Sequence, residues 1–375
     1  MMTNNQPIGL YIHIPFCLKK CAYCDFYSLC KATSEQKQAY VNELCREIDF
    51  YASKSLKADT VYIGGGTPTI LSKEQLLKLI DSVKSAFVLS FDCEFTIEMN
   101  PATVSFETLK ALREAGVNRL SIGIQSLCDD ELSLLGRVHS ASDAIQSVRI
   151  AREAGFENVS VDVMYGIPNQ TKASFENTLD GILAFKPEHI SAYSLIFEEG
   201  TPFYAQKDSF QLPSDDEEYE LYQLLHAKLS GHGYCQYEIS NYAKEDKRSR
   251  HNQKYWHLAP YIGCGASAHS FFEGIRFQNA SDVSLYLKGF EKTKETEEIL
   301  TKSDFAYEYA ILGLRTKEGI SLSKYEKLFG EPLSARKRAF IDRLCKHGYA
   351  TLVGDTFAFT EKGFYVSSGI LRELF

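Results

Sequence analysis

The sequence lacks the features of an exported or membrane-spanning chain. No apolar run approaches the roughly 18 residues that a membrane-spanning helix needs. The first seven residues, MMTNNQP, contain no basic stretch followed by an apolar core. We therefore expect a cytoplasmic protein, in a compartment where thiols stay reduced.

An excess of positive charge is also missing. The 375 residues carry 41 Lys and Arg against 49 Asp and Glu, which gives a net charge of −8. A protein that holds nucleic acid through its phosphates needs a basic surface, so this balance argues against nucleic acid as the main partner. The hydrophobic fraction of 44% is sufficient for one large α/β domain with a packed core and a smaller second domain.

Short runs rich in β-branched and aromatic residues alternate with amphipathic stretches over the first two thirds of the chain. The predicted strands are 9–14, 60–63, 94–98, 119–124, 159–164 and 189–195, and the predicted helices are 35–51, 73–87, 105–115, 141–154, 174–185 and 216–229. Six successive βα units predict a parallel sheet with helices outside, most naturally a partial (β/α)6 barrel. A doubly wound open sheet is the alternative.

The βα rhythm stops after residue 229, and a charged link follows at 244–250. We therefore predict a first domain over residues 1–240 and a second, smaller and mainly α-helical domain over 241–375. Near its end, 348–359 reads as a hairpin with Gly354 and Asp355 at the turn. This helical end with a hairpin resembles a winged helix.

Three cysteines stand close together in a C-x3-C-x2-C run, at Cys17, Cys21 and Cys24. They are too close in sequence to make a useful disulfide framework, but they can converge on one metal cluster. A structural zinc site or an electron-transfer 4Fe-4S cluster uses four protein ligands, so three thiolates leave one iron open to a substrate. The other seven cysteines show no metal spacing, and only Cys30 is near enough in sequence to be a spare ligand.

Polar residues follow the predicted strands at equivalent points. The turn GGGTPT, residues 64–69, comes directly after the second strand, and its glycines allow a ligand to approach the backbone. Glu98 and Gln125 end the third and fourth strands, Asp162 lies in the fifth, and Arg137 lies on a nearby loop. Polar groups at the ends of barrel strands need partners, so we expect them to share a small polar ligand.

Together, the cysteine run, the GGGTPT turn and the polar strand ends resemble the radical S-adenosylmethionine (SAM) enzymes. The segment YIHIPFC, residues 11–17, is similar to the anaerobic coproporphyrinogen III oxidase group of that superfamily. The resemblance implies a 4Fe-4S cluster on Cys17, Cys21 and Cys24, with SAM bound to its open iron. The positions that match the superfamily's SAM contacts are Tyr11, Gly65, Gly66, Thr67, Glu98, Gln125, Arg137 and Asp162.

Two departures separate this sequence from the oxidases of that group. The oxidases have a further cysteine two residues after the third ligand, where this chain has Phe26, and they have a longer segment ahead of the first strand. The run HNQKYW, residues 251–256, resembles instead a signature of the heme chaperones in the group. That likeness implies that the protein binds heme, with His251 as an axial ligand of the iron.

The resemblance to these chaperones implies that the protein transfers heme to apo-proteins such as respiratory enzymes. It also implies that the protein contacts the cytoplasmic face of the membrane peripherally. The alternative function is oxygen-independent oxidation of coproporphyrinogen III to protoporphyrinogen IX.

Overall fold

The computed structural model describes residues 6–292 and 296–375. Residues 1–5, part of the segment on which the expectation about secretion depends, lie outside the described residues. In the described residues, no helix is both long enough and apolar enough to cross a membrane.

Six parallel strands form the centre of the molecule. They are β1 (Ile8–Ile14), β2 (Lys57–Gly65), β3 (Val88–Met99), β4 (Arg119–Gln125), β5 (Val159–Tyr165) and β6 (His189–Ser194). Each strand pairs with the next one in chain order. A doubly wound sheet would reverse its order at a switch point, so the sequential order confirms the partial (β/α)6 barrel.

A helix follows each of these strands. They are α1 (Ser34–Phe50), α2 (Lys73–Ala86), α3 (Phe106–Glu114), α4 (Ala141–Glu153), α5 (Lys172–Ala184) and α6 (Asp215–Gly231). Each begins after a Ser or Thr whose hydroxyl accepts a hydrogen bond from a backbone N–H of the first turn. Gly116 and Gly155 follow α3 and α4 with φ values of 93° and 89°, as the sequence predicts for glycines that end a helix.

The sheet continues beyond the six strands at both edges. Strand Tyr261–Cys264 pairs with β1 in parallel, and three antiparallel strands follow it: His269–Phe272, Ile275–Gln278 and Thr296–Ile299. On the other edge, Asn241–Ala243 pairs with β6 and then with Cys235–Gln236. The domain division at 240 and 241 stays a prediction, and the sheet runs across it. Shorter helices lie at Asp129–Leu134, Pro202–Ala205, Arg250–Trp256 (α7) and Val283–Tyr286.

The last 75 residues have a hydrophobic core of their own, built on residues such as Ala310, Ile341 and Phe357. Its helices are Lys302–Gly313, Leu322–Phe329, Ala335–Lys346, Glu361–Tyr365 and Ser367–Leu374. Its strands are Ile320–Ser321, Ala350–Val353 and Thr356–Phe359. The last two strands form the predicted hairpin, with Gly354 at φ 61° in the turn. The likeness to a winged helix stays a prediction.

Candidate functional site

A cavity of about 360 Å³ lies where the carboxyl ends of the central parallel strands meet the cysteine loop. Nine of the residues predicted for the cluster and for SAM line it together: Cys17, Cys21, Cys24, Gly65, Gly66, Glu98, Gln125, Arg137 and Asp162. Thr67 lines a smaller adjoining cavity, which shares Cys21 and Arg137 with the first one. The parallel barrel therefore brings residues from 17 to 162 to one place, as the strand-end reasoning predicts.

The three thiols line one cavity and have polar neighbours. The Thr67 hydroxyl donates to Cys17 Sγ at 3.6 Å, and Arg137 Nη1 donates to Cys21 Sγ at 3.4 Å. Burial raises the pKa of Cys17 and Cys24. In the described part of the chain, no three His, Cys, Asp or Glu side chains are already arranged as a metal site.

The donor set nevertheless fits an iron–sulfur cluster. Three cysteines lie on one loop, and thiolates are the ligands that iron–sulfur clusters take. A hydroxyl and a guanidinium already donate to two of these sulfurs. Such donors stabilise thiolates, and a bound metal deprotonates a coordinating thiol in spite of its raised pKa.

The glycine turn after β2 packs directly against the cysteine loop. The Gly66 N–H donates to the Ile14 carbonyl at 2.9 Å, and the Thr67 N–H donates to the Phe16 carbonyl at 2.8 Å. A Cβ atom on Gly66 would lie 2.7 Å from the Phe16 carbonyl oxygen and 3.0 Å from Cys17 Sγ. Gly65 has φ 112°, a region that disfavours other residues. Glycine at these two positions therefore lets the turn and the thiols share one wall.

Two carboxyl groups lie in the cavity, and burial raises the pKa of both. The pKa of Glu98 is raised to about 7 and that of Asp162 to about 6. Glu98 accepts hydrogen bonds from the Tyr62 hydroxyl at 2.6 Å and from the Gly65 N–H at 3.0 Å. The Ser121 hydroxyl donates to Asp162 at 3.3 Å. Acids in a cleft whose pKa is shifted by burial are candidates for a functional site.

Arg137 is held in place by neighbours that the sequence did not single out. Its Nη2 donates to Asn100 Oδ1 at 2.7 Å and to the Gly123 carbonyl at 2.6 Å. Asn100 in turn donates to the Thr67 hydroxyl at 2.8 Å. Burial acts to lower the pKa of Arg137, but the neighbouring Tyr23 and Cys21 outweigh it and raise the pKa, so the guanidinium stays charged. The position of Asn100 two residues after Glu98, at a strand end, was the signal that could have identified it.

Gln125 reaches the cavity through an irregularity in the sheet. The pairing of β4 with β5 shifts register between Gly123 and Gln125, and Gln125 has φ 68°, in the left-handed region. Such a bulge redirects a side chain, and a non-glycine residue in this conformation is strained. Strain of this kind is concentrated at functional sites, which agrees with a ligand-binding role for this residue.

Tyr11 lies on β1 beside Tyr62 of β2. Its hydroxyl is 2.8 Å from His13 Nδ1, and its ring centroid is 6.3 Å from that of Tyr62. It is not among the described residues that line the cavity. Its contact with SAM stays a prediction.

His251 occupies a different environment, on α7 against β2. Its side chain is buried, and its two ring nitrogens are both hydrogen-bonded: Nδ1 to the Thr60 hydroxyl at 2.9 Å and Nε2 to the Tyr255 hydroxyl at 2.8 Å. Burial lowers the pKa of His251 to about 3, so the ring is neutral at physiological pH. Its ring stacks on Tyr62 with centroids 5.2 Å apart. The heme-ligand role stays a prediction, and Nε2 would have to exchange Tyr255 for iron.

Comparison with known proteins finds relatives that match this sequence over nearly the whole chain. Residues 11–182 match the model of the radical SAM superfamily, and residues 300–366 match the HemN C-terminal domain. The heme chaperone HemW of Bacillus subtilis is 41% identical over 90% of this chain and 91% of its own length. HemW of Escherichia coli is 32% identical over 100% and 99%.

A solved structure gives the same picture of the fold. The structure of coproporphyrinogen III oxidase (HemN) from Escherichia coli, described as a radical SAM enzyme, has a TM-score of 0.86 and 25% sequence identity. The match covers 99% of this chain and 90% of that one. With the relatives above, it shows that the chain belongs to the HemW family within the radical SAM superfamily.

Proposed function

We propose that this protein is a heme chaperone that binds heme, a 4Fe-4S cluster and SAM, and that transfers heme to apo-proteins such as respiratory enzymes. The HemW relatives are named heme chaperones, and this chain matches them over nearly their full length. We place the protein in the cytoplasm, in peripheral contact with the membrane where such recipients lie. Nucleic acid has no part in this proposal.

Cys17, Cys21 and Cys24 would hold the cluster, and the cluster would supply electrons to the sulfonium of bound SAM. The other cavity residues would bind and orient that cofactor. Glu98 and Asp162 are suited to accept hydrogen bonds from its ammonium and hydroxyl groups, and the charged Arg137 is suited to pair with its carboxylate. Gly65, Gly66 and Thr67 would let it approach the backbone, with Gln125 and Tyr11 as further contacts.

The observation that carries the choice between chaperone and oxidase is Phe26. At the position where the oxidases have a further cysteine, this chain places an aromatic ring that lines the thiol cavity and is 69% exposed. A phenylalanine offers neither a ligand nor a proton donor there. An exposed aromatic ring does offer an apolar surface of the kind on which a porphyrin plane packs.

We assign the axial heme ligand to His251. The ring is neutral and therefore competent to bind iron through Nε2 once the Tyr255 hydroxyl moves away. Heme binding through this nitrogen would therefore require the Tyr255 side chain, on the same helix, to move.

Oxidation of coproporphyrinogen III is the second candidate function, because the HemN structure matches this fold so closely.

One experiment separates the two functions. Anaerobically reconstituted protein is mixed with heme in one titration, and with coproporphyrinogen III, SAM and a reductant in another. We expect stoichiometric heme binding and no protoporphyrinogen IX. Cys21→Ala is the control for the second mixture. Turnover by the wild-type protein that disappears in Cys21→Ala would overturn the proposal in favour of the oxidase.

A further inference from the structure

Cys30 has no part in the proposed cluster, yet the fold places it directly beside one of the proposed ligands. Phe16–Cys17 and Leu29–Cys30 form a separate two-stranded parallel ribbon in which Cys17 is in register with Cys30. Both thiols are free and partly exposed. Across the described strand pairs, no other cysteine faces a cysteine.

The register sets the separation of the two cysteines at the backbone. Paired strands lie roughly 4.8 Å apart, and residues in register point their side chains to the same side of a ribbon. A disulfide needs a separation between Cα atoms of roughly 4.4–6.8 Å. The Cys17 and Cys30 pair therefore meets the backbone requirement for a disulfide without a change of fold.

The ribbon is also well anchored. The Leu29 N–H donates to the Pro15 carbonyl at 2.6 Å, and the Thr67 N–H donates to the Phe16 carbonyl at 2.8 Å. The Phe16 ring is fully buried and packs edge-on against Tyr40, with centroids 5.2 Å apart. The two cysteines are therefore held opposite each other by contacts that do not involve a metal.

A role for Cys30 as a fourth cluster ligand is less well supported. Cys17, Cys21 and Cys24 line the cavity, and Cys30 is not among the described residues that do so. Cys21 and Cys24 lie in the loop between the two paired cysteines, with the Cys24 N–H donating to the Cys21 carbonyl at 3.3 Å. The structure thus favours a bond between Cys30 and Cys17 over a bond between Cys30 and the cluster.

We propose that Cys17 and Cys30 form a reversible disulfide in the cluster-free protein, and that this bond withdraws one of the three cluster ligands under oxidising conditions. The oxidant is a low-molecular-weight disulfide such as oxidised glutathione. One protein thiolate attacks it and releases one molecule of reduced glutathione, and the second protein thiolate then displaces the other. Two protein thiols lose two electrons and two protons in total, and excess reduced glutathione reverses the exchange.

The consequence for the cluster rests on the proposed function, whereas the disulfide itself does not. A sulfur in the Cys17–Cys30 bond cannot be a thiolate ligand. Oxidation would therefore leave the fold intact and block cluster assembly until the bond is reduced.

The first experiment maps the bond. Cluster-free full-length protein is incubated with oxidised glutathione, alkylated and digested with trypsin and chymotrypsin. Trypsin cleaves after Lys19 and Lys20 and separates Cys17 from Cys21, and chymotrypsin cleaves after Tyr23, Phe26 and Tyr27 and separates Cys21, Cys24 and Cys30 from one another. We expect a peptide cross-linked between Cys17 and Cys30 that disappears after reduction. A cross-link between Cys17 and Cys21, between Cys21 and Cys24, or none at all would overturn the proposal.

The second experiment measures the consequence. Iron and sulfide are offered to oxidised protein without added thiol, at a sulfide concentration at which the peptide map still shows the cross-link between Cys17 and Cys30, and bound iron is determined per chain. We expect at least a fivefold loss in the wild-type protein compared with its reduced form, and little loss in Cys30→Ser. Cys128→Ser, which removes another partly buried free thiol, should behave like the wild type. An equal loss in Cys30→Ser would overturn the protective role of the pair. If the reduced protein also binds no iron, the proposed cluster is wrong, while the peptide map still decides the disulfide.

Discussion

The thiol cavity and the His251 site both adjoin the Tyr62 side chain, yet they differ in burial, charge and hydrogen bonding. The cavity is open, holds charged and titratable groups, and ends at an exposed Phe26. The His251 ring is enclosed, neutral, and hydrogen-bonded at both nitrogens. The cavity can receive a ligand as it stands, whereas His251 would first have to lose a hydrogen bond in order to bind iron. Tyr62 joins the two, because its hydroxyl donates to Glu98 and its ring stacks on His251.

This difference makes the cavity the region that can accept a ligand without a rearrangement. A ligand that competes for Glu98 would change the hydrogen bond from Tyr62, and the His251 ring stacks on that same tyrosine. Coupling of this kind requires that Tyr62 have two arrangements that ligands at either site can bias. Substitutions in the thiol cavity and at the His251 site, each followed by measurement of bound iron, stability or heme affinity, therefore test this difference.

The largest effect is expected at the cavity. Cys21→Ala removes one of three thiolates and leaves Arg137 Nη1 without its sulfur partner. Two protein thiolates do not hold a 4Fe-4S cluster, so we expect iron per chain to fall to near the background level, with the heme titration retained. Iron analysis and visible absorbance measure this, with Cys128→Ala as the control. Undiminished iron would refute the cluster assignment.

Sequence reasoning was strongest where a physical pattern repeats locally. The βα rhythm predicted all six parallel strands and their helices, and parallel strands by their geometry bring Gly65, Glu98 and Asp162 to one end. It failed where placement depends on distant contacts. The register shift before Gln125 depends on β5, and the strands at 241–299 are short and depend on an existing sheet edge.

The environment of His251 could not be predicted for the same reason. One of its partners, Thr60, lies 191 residues away in the sequence. The motif HNQKYW contains the other partner, Tyr255, one helical turn along α7, but the motif alone does not reveal whether this tyrosine stacks on a ligand or caps the imidazole. A signature can therefore identify a residue without stating whether it is accessible.

The pH dependence of stability separates the two regions next. The pKa of His251 is about 3 in the folded protein against an ordinary value of 6.5, so between these values the unfolded chain binds more protons and the free energy of unfolding falls as the pH falls. The contribution is complete above pH 6.5 and lost towards pH 3. Between pH 6.5 and 4.5 we expect the free energy of unfolding to fall by about 2 kcal/mol less in His251→Gln than in the wild-type protein. Urea unfolding of cluster-free protein measures this difference.

Glu98→Gln is the matched variant because its sign is opposite. The pKa of Glu98 is raised to about 7 from 4.5, so the folded protein binds more protons between these values and its stability falls as the pH rises. Glu98 therefore adds stability as the pH falls. In Glu98→Gln we expect the free energy of unfolding to fall further than in the wild-type protein when the pH is lowered from 6.5 to 4.5. If both variants changed the pH dependence of the free energy of unfolding in the same direction, the two regions would not have pKa shifts of opposite sign.

A smaller effect is expected on heme affinity when the imidazole is removed. His251→Ala deletes the proposed axial ligand, and we expect heme to bind at least tenfold more weakly while the absorbance of the cluster stays unchanged. His257→Ala, at the end of the same helix and half-exposed beside Glu318, is the control. Equal heme affinity in His251→Ala and in the wild-type protein would reject His251 as a ligand and leave it as a buried link between α7 and Thr60.

The smallest and most discriminating effect is expected at Tyr255, because it tests whether the enclosed imidazole must open. Tyr255→Phe keeps the ring but removes the hydroxyl that is hydrogen-bonded to His251 Nε2. A net hydrogen bond contributes about 1 kcal/mol, so freeing Nε2 should tighten heme binding about fivefold in an absorbance titration. Tyr261→Phe, whose ring packs edge-on against Tyr255, controls for a change in packing. Weaker heme binding in Tyr255→Phe would mean that the hydroxyl assists ligation, and the imidazole would then not need to exchange this partner for iron.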